Sequence, residues 1–424
     1  MNSANGTSHA VVFSGGASQG AYHVGVLKAL IDGESPATHY QPLRPDVFTG
    51  TSAGSVNAAA LLGEIEAGNP DPVGYLEHLW LDRIARTGTS CNSGVYRLRA
   101  NPTRFADFGC LITNPLKPAL DLLQDANFLA RESVRRGNQF LTSTKGVGQR
   151  LLDQINLSSF VAMDPFQEVL HDSIRFDLIH QSKRFIRIGA SRWDTGFLYY
   201  FTNKDMTVDA GPKIIQASSA VPGFFPRVEV DGVEFGDGGV IENSPLQGAV
   251  EANADVIHVV TSFPRTANIP VDITVNTLDT MYRMLVINIT KSLRRDIERY
   301  RNVNDAILVL QRMREAGDLG IPYQMLQQLL NRIMRQDEPD YRRITIHIHL
   351  PPEPLATLFQ YLNFDREYLQ TLVRAGYYDA LAHNCKVNGC VIPDEEQLDT
   401  KAYQAAAAYG DDTQELRVDP GVTF

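Results

Sequence analysis

Short apolar runs alternate with stretches of helical periodicity along most of this chain, and glycine-rich turns separate them. Ala10-Val11-Val12-Phe13 reads as a buried strand, and a helix follows from about Ala21 to Ile31 with Val24, Leu27, Leu30 and Ile31 on one face. Asp46 to Thr49 reads as a second strand, running into an Ala-rich helix that begins just after Ser52. Strand character returns at Phe185–Ala190 and Phe197–Thr202, then a helix at Pro212–Ser218 and a hairpin, Val228 to Phe235, turning on Asp231-Gly232. A helix at Leu246–Asn253 and a strand at Val256–Thr261 follow. From Thr277 to Arg335 helices dominate, with Leu285, Ile289, Leu293, Ile297 and Tyr300 at helical spacing. That stripe predicts a core-facing amphipathic helix, with a membrane-surface helix as the alternative for its basic flanks. A late strand, Ile344–Leu350, and a helix, Asp365–Asn384, complete the series. Strands that alternate with helices imply an α/β fold.

Between Gly68 and Pro165 the alternation breaks. Loop signals such as Asn69-Pro70-Asp71-Pro72 and Thr87-Gly88-Thr89-Ser90 surround short helical segments at Leu116–Phe128 and Gln149–Ile155. Such a stretch is expected to be a lid or cap inserted into the domain. Arg131, Arg135 and Arg136 within it read as a solvated basic face. The expected organisation is one domain over residues 8–390, with a cap at 68–165, a helical insertion at 272–338 and a polar tail at 391–424.

With 43% apolar and 21% charged residues, the composition is that of a globular protein with ample core. A net charge of −10 leaves no basic footprint for nucleic acid. No apolar run is long enough to span a bilayer, and Met1–His9 lacks the pattern of a secretory signal. A cytoplasmic protein, peripheral to membranes at most, is therefore expected. The four cysteines make no disulfide framework: Cys91 and Cys110 lie far from Cys385 and Cys390, and no recognisable metal-ligand spacing is present. Reduced structural thiols are the expectation.

The candidate chemistry lies in three places. Gly50-Thr51-Ser52-Ala53-Gly54 sits between a strand and a helix, the context in which a serine is forced into a sharp turn with its hydroxyl exposed. Ser14-Gly15-Gly16-Ala17-Ser18-Gln19-Gly20 links the first strand to its helix. It lacks the Lys-Ser/Thr of a Walker loop and matches a dinucleotide fingerprint weakly, but adjacent small residues suit an oxyanion hole. Asp237-Gly238-Gly239 closes the hairpin, and alone it is a plain turn. An α/β-hydrolase triad, Ser…Asp…His, expects several strands before the serine, where this chain offers one. His258, His347 and His349 fall on strand patterns and read as sheet-face residues, and His23 as a packing residue.

Taken in order, these three motifs resemble the patatin-like phospholipase family, and the flanking Ala217–Pro226 and Phe364–Ala380 stretches agree. The resemblance implies a three-layer α/β/α sandwich with a mainly parallel central sheet. It implies Ser52 as nucleophile and Asp237 as base, a dyad without histidine, with Gly15, Gly16 and Ala17 forming the oxyanion hole. Gly20, Gly50, Gly54, Gly238 and Gly239 complete the motifs. The family's site needs no metal or cofactor. Its substrates are lipid esters, met at a membrane or lipid aggregate; the oligomeric state is left open. The family pattern has a third glycine at Ala17 and Arg or Lys at Gln19; alanine keeps the backbone N–H of the hole, whereas the lost cation is expected to weaken stabilisation of an oxyanion or phosphate. A catalytically weak lipid-binding or regulatory module on the same fold is the alternative.

Overall fold

In the computed structural model the described residues are 7–85, 95, 97–98, 116–142, 161–264, 277–334, 342–352 and 358–393. The strands are β1 (His9–Phe13), β2 (Val47–Thr51), β3 (Arg97–Leu98), β4 (Val161–Ala162), β5 (Phe185–Arg192), β6 (Leu198–Thr202), β7 (Val228–Val230), β8 (Val233–Asp237), β9 (Val256–Val260) and β10 (Thr345–His349). Eight of them form one sheet in the order β10-β9-β1-β2-β5-β8-β7, with β6 on β5, and β3 and β4 make a separate antiparallel pair. β1 runs parallel to β2 and β9, and β2 parallel to β5; β8 and β6 return antiparallel on β5. From Ala10 to Phe13 the first strand is wholly buried, which is why its sequence is a continuous apolar run rather than an alternating one. The chain leaves β1 toward β2 on one side and comes back to it through β9 on the other. A crevice at the carboxyl ends of such diverging strands is where α/β sheets bind ligands.

Two helices follow the central strands: α1 (Gly20–Ile31) after β1 and α2 (Ala53–Glu66) after β2. Both are buried almost all round, so neither shows the one-sided stripe of a surface helix. Against α1 packs the late helix Arg366–Leu381, at van der Waals range of backbone to backbone. Gly25 and Gly376 permit it, since a Cβ at Gly25 would fall on the Val373 carbonyl oxygen and one at Gly376 on that of Tyr22.

The expected cap differs at its start. Pro72–His78 is a helix and Leu79–Ile84 continues it as a π-helix, and Leu76, Leu79, Trp80 and Ile84 are buried in the main core. Leu116–Thr142 forms a single helix rather than a short segment, while the expected helix at 149–155 and the tail beyond 393 lie outside the described residues. The span expected to be a helical insertion holds the helices Thr277–Glu315 and Ile321–Met334. Its stripe is turned inward: Val286 and Ile289 pack with Phe263 and Tyr361, and Ile297 and Tyr300 are buried too.

The described residues fall into two compact units, those within 7–299 and 346–390 and those within 300–345 and 391–393. The smaller has its own apolar cluster of Val303, Ile307, Leu310 and Leu330. Among the described residues no helix is long and apolar enough to cross a membrane.

Gly25→Ala tests the helix contact. Helix propensity alone favours alanine by about 1 kcal/mol. Overpacking against fixed backbone atoms costs about 1–3 kcal/mol and should prevail. A lower denaturation midpoint than the parent's is expected in urea; an unchanged or higher one would refute the close contact.

Candidate active site

Ser52 carries φ 55° and ψ −128°, backbone values that L-residues rarely adopt. Strain of this kind costs on the order of 1–3 kcal/mol and persists only where neighbours fix it. The neighbours here are identifiable. Cβ atoms at Gly50 or Gly54 would land on the Gly54 carbonyl or on those of Phe13 and Ser14, so strand and helix can meet this closely only with glycine at both places. The Ser52 N–H donates to Ser218 Oγ (2.9 Å), whose own hydroxyl donates to the Gly189 carbonyl (2.6 Å). On the other side, the Ser52 carbonyl accepts from Ser55 N–H (2.9 Å) and Ser55 Oγ (2.6 Å). The serine thus stands immediately before the first residue of α2, where the helix dipole favours developing negative charge.

Asp237 ends β8, beside β5 in register with Ala190. Its Oδ1 accepts from the Gly239 N–H at 2.7 Å. Burial pushes its pKa up to about 6, against the opposing pull of the Ser52 side chain and the Gly239 N–H. A carboxylate so desolvated is a far better base near neutral pH than one in water. Close by, burial raises Glu242 to about 7, while Tyr200 donates to it at 2.6 Å.

The glycine loop reaches the same place by a different route. A Cβ at Gly15 would approach Ser52 Cβ to 3.0 Å, so this loop passes directly beside the serine. Its N–H, however, donates to the Asn243 carbonyl at 2.9 Å and is not free for a substrate. Among the described residues the N–H groups of Gly16 and Ala17 have no such acceptor. Asn243 is the residue that the sequence reading missed. Besides holding Gly15 through its carbonyl, it donates Nδ2 to the Gly15 carbonyl at 3.3 Å, and its Oδ1 fills the space that a Cβ at Gly15 or Gly239 would need. One side chain therefore braces two motifs against each other. Ser218, inside the quoted Ala217–Pro226 stretch, is the other missed support.

Gln19 and His23 face elsewhere. Gln19 Nε2 donates to the Tyr368 hydroxyl at 2.9 Å, tying the loop to the Arg366–Leu381 helix. His23 is wholly buried, 3.4 Å from Ser14 Oγ and 3.3 Å from Asn57 Nδ2, and burial holds its pKa down at about 3. It is a neutral packing residue beneath the loop. Ala17 has φ 47°, the left-handed region, which explains why a glycine suits that position. Ala17→Gly should therefore stabilise the chain by up to about 1 kcal/mol, the αL penalty less the entropy of glycine; a fall in melting temperature would contradict the strained loop.

A search among curated proteins finds no match. Among solved structures the chain is similar to VipD from Legionella pneumophila, at 14% identity over 90% of this chain and 67% of that one. The TM-score, 0.34, is too low for that likeness to carry an argument. The family model described as patatin-like phospholipase matches residues 11–250, a span that holds the glycine loop, Ser52 and Asp237. The chain belongs to the patatin-like phospholipase family.

Proposed function

We propose that this protein hydrolyses carboxylic esters of lipids, phospholipids or lysophospholipids first, through an acyl-Ser52 intermediate. The observation that carries the proposal is the convergence of the strained Ser52 turn, the glycine loop beside it and the buried Asp237 carboxylate, which burial makes more basic. Ser52 Oγ attacks the ester carbonyl carbon as its proton passes to Asp237. The carbonyl oxygen becomes an oxyanion that accepts from the N–H groups of Gly16 and Ala17, a kind of donor whose loss typically costs about 10²–10³ in rate. Collapse breaks the ester C–O bond, and Asp237 returns the proton to the departing alcohol. Water, deprotonated by the same carboxylate, then releases the fatty acid and restores Ser52. No imidazole enters, because His23 is sealed beneath the loop.

Lipid contact is favoured by apolar side chains at the right end of the sheet. The turn from β5 to β6 lies at the carboxyl end of β5, the end at which β2 delivers Ser52. Trp193 and Phe197 in that turn are 46% and 73% exposed, and Val240 and Ile241, just past Asp237-Gly238-Gly239, are exposed too. These residues are read as the rim that meets a lipid aggregate.

Two experiments test the reading. Ser52→Ala and Asp237→Asn should each abolish hydrolysis of a chromogenic acyl ester, and the double mutant should lose no more than either. In the parent, activity should fall as pH drops through about 6, since only the ionised carboxylate is a base. The stability sign is opposite. A raised pKa favours the protonated folded state, so Asp237's contribution is present below 3.8 and is lost as pH rises through about 6. Asp237→Asn should consequently melt no lower than the parent at pH 8. An active or markedly destabilised Asp237→Asn protein would reduce the residue to a turn former.

In the second, Phe197→Asp should slow turnover of micellar phospholipid about tenfold while leaving a monomeric ester untouched, as loss of an interfacial anchor requires. Equal effects on both substrates would remove the rim from the reading.

A further inference from the structure

Far from Ser52 in the strand order, at the β10 edge of the sheet, four metal-ligating side chains converge: His347, His383, Cys385 and Cys390. One donor atom from each lies within 4.8 Å of all the others. Cys385 Sγ is 3.4 Å from His347 Nδ1 and 3.4 Å from His383 Nε2, and Cys390 Sγ is 3.5 Å from His383 Nε2. In a tetrahedral zinc site with bonds of about 2.0–2.3 Å, neighbouring ligand atoms stand about 3.3–3.8 Å apart. These three separations fall in that range, and the 4.8 Å bound on the set leaves little adjustment for one ion to meet all four. We propose that His347, His383, Cys385 and Cys390 bind one structural zinc ion.

The local architecture supports a site built for this purpose. His347 comes from β10, and His383 follows the Arg366–Leu381 helix. Cys385 opens the short helix Cys385–Asn388, whose N-cap Asn384 accepts from the N–H groups of Lys386 and Val387. Gly389, at φ 76°, then reverses the chain, and the Cys390 N–H donates to the Cys385 carbonyl at 2.9 Å. That closed turn is what brings the two sulfurs together. Outer contacts of the kind that metal sites use are also present. The Ile348 N–H donates to Cys390 Sγ at 3.3 Å, as backbone amides do to metal thiolates. His383 Nδ1 faces the Asn388 side-chain amide at 3.2 Å, leaving Nε2 as the ring nitrogen turned to the sulfurs.

Donor chemistry selects the metal. Two thiolates and two imidazoles in tetrahedral array suit Zn²⁺, and the thiolates cancel its charge at a largely buried place. Four protein ligands leave no open position, so the role is structural, fastening the 383–390 turn to the edge strand. Binding displaces the two thiol protons to solvent and involves no redox step.

The test uses the full chain. Purified under reducing conditions, it should contain about one zinc per chain by elemental analysis. Exchange for Co²⁺ should give the visible ligand-field bands of a tetrahedral site together with thiolate charge transfer. Removing the metal with a strong chelator should lower the melting temperature by on the order of 10 °C, reversed by added Zn²⁺, while ester hydrolysis at low temperature stays unchanged. Cys390→Ser and His383→Ala should lose the zinc, whereas Cys91→Ser should keep it. A parent chain that neither carries zinc nor takes up Co²⁺ after reduction would overturn the proposal. So would octahedral Co²⁺ bands, or zinc retained by a Cys385→Ser, Cys390→Ser double variant.

Discussion

The left-handed turn at Ser52 is the constraint on which the rest of this structure depends. A serine held at positive φ must be surrounded by groups that leave it no alternative, and each of those groups makes a demand on a distant part of the chain. Gly54 must lie against the end of β1, Ser218 must reach across from the Gly211–Ser218 helix, and Gly189 must offer its carbonyl from β5. The central sheet order β1-β2-β5-β8 is the arrangement that brings these partners to one end. The fold can be regarded as the support for a single strained peptide.

Electrostatics adds a second layer. Asp237 is buried where its charge is unwelcome, and the Gly239 N–H, 2.7 Å from Oδ1, offsets part of that penalty. A carboxylate in water is too weak a base to activate a serine; the same group in an apolar pocket is not. Burying Asp237 therefore lowers stability at neutral pH, as is expected where a local rule is broken at a candidate functional site.

The three motifs were legible in the sequence because each residue type is forced by geometry. Only glycine fits at 50 and 54, and a strand running into Gly-x-Ser-x-Gly leaves few other readings. The strands and their helices could be read too, since continuous apolar runs bounded by glycine mark buried parallel strands. Asn243 could not, because a braced loop leaves no periodic trace and its partner Gly15 lies on the opposite side of the serine motif in sequence. Pro72–Ile84 fell within the expected cap because the loop signal Asn69-Pro70-Asp71-Pro72 leads into it, although Trp80 and its neighbours belong to the core. The histidines and cysteines at the β10 edge follow no spacing rule; His347 stands on a strand, and folding alone carries it to the cysteines.

The position of that cluster bears on how the protein survives at high concentration. β10 is an edge strand, and an edge with unpaired backbone groups invites another chain to add a strand of its own. Thr261 N–H bonds the His349 carbonyl on the inner side, so Ile348 faces outward. Its N–H is taken by Cys390 Sγ and its carbonyl by Asn388 Nδ2 (2.9 Å), leaving neither for an incoming peptide. The 383–390 turn thus covers the edge at Ile348, and loosening it would free that backbone for self-association.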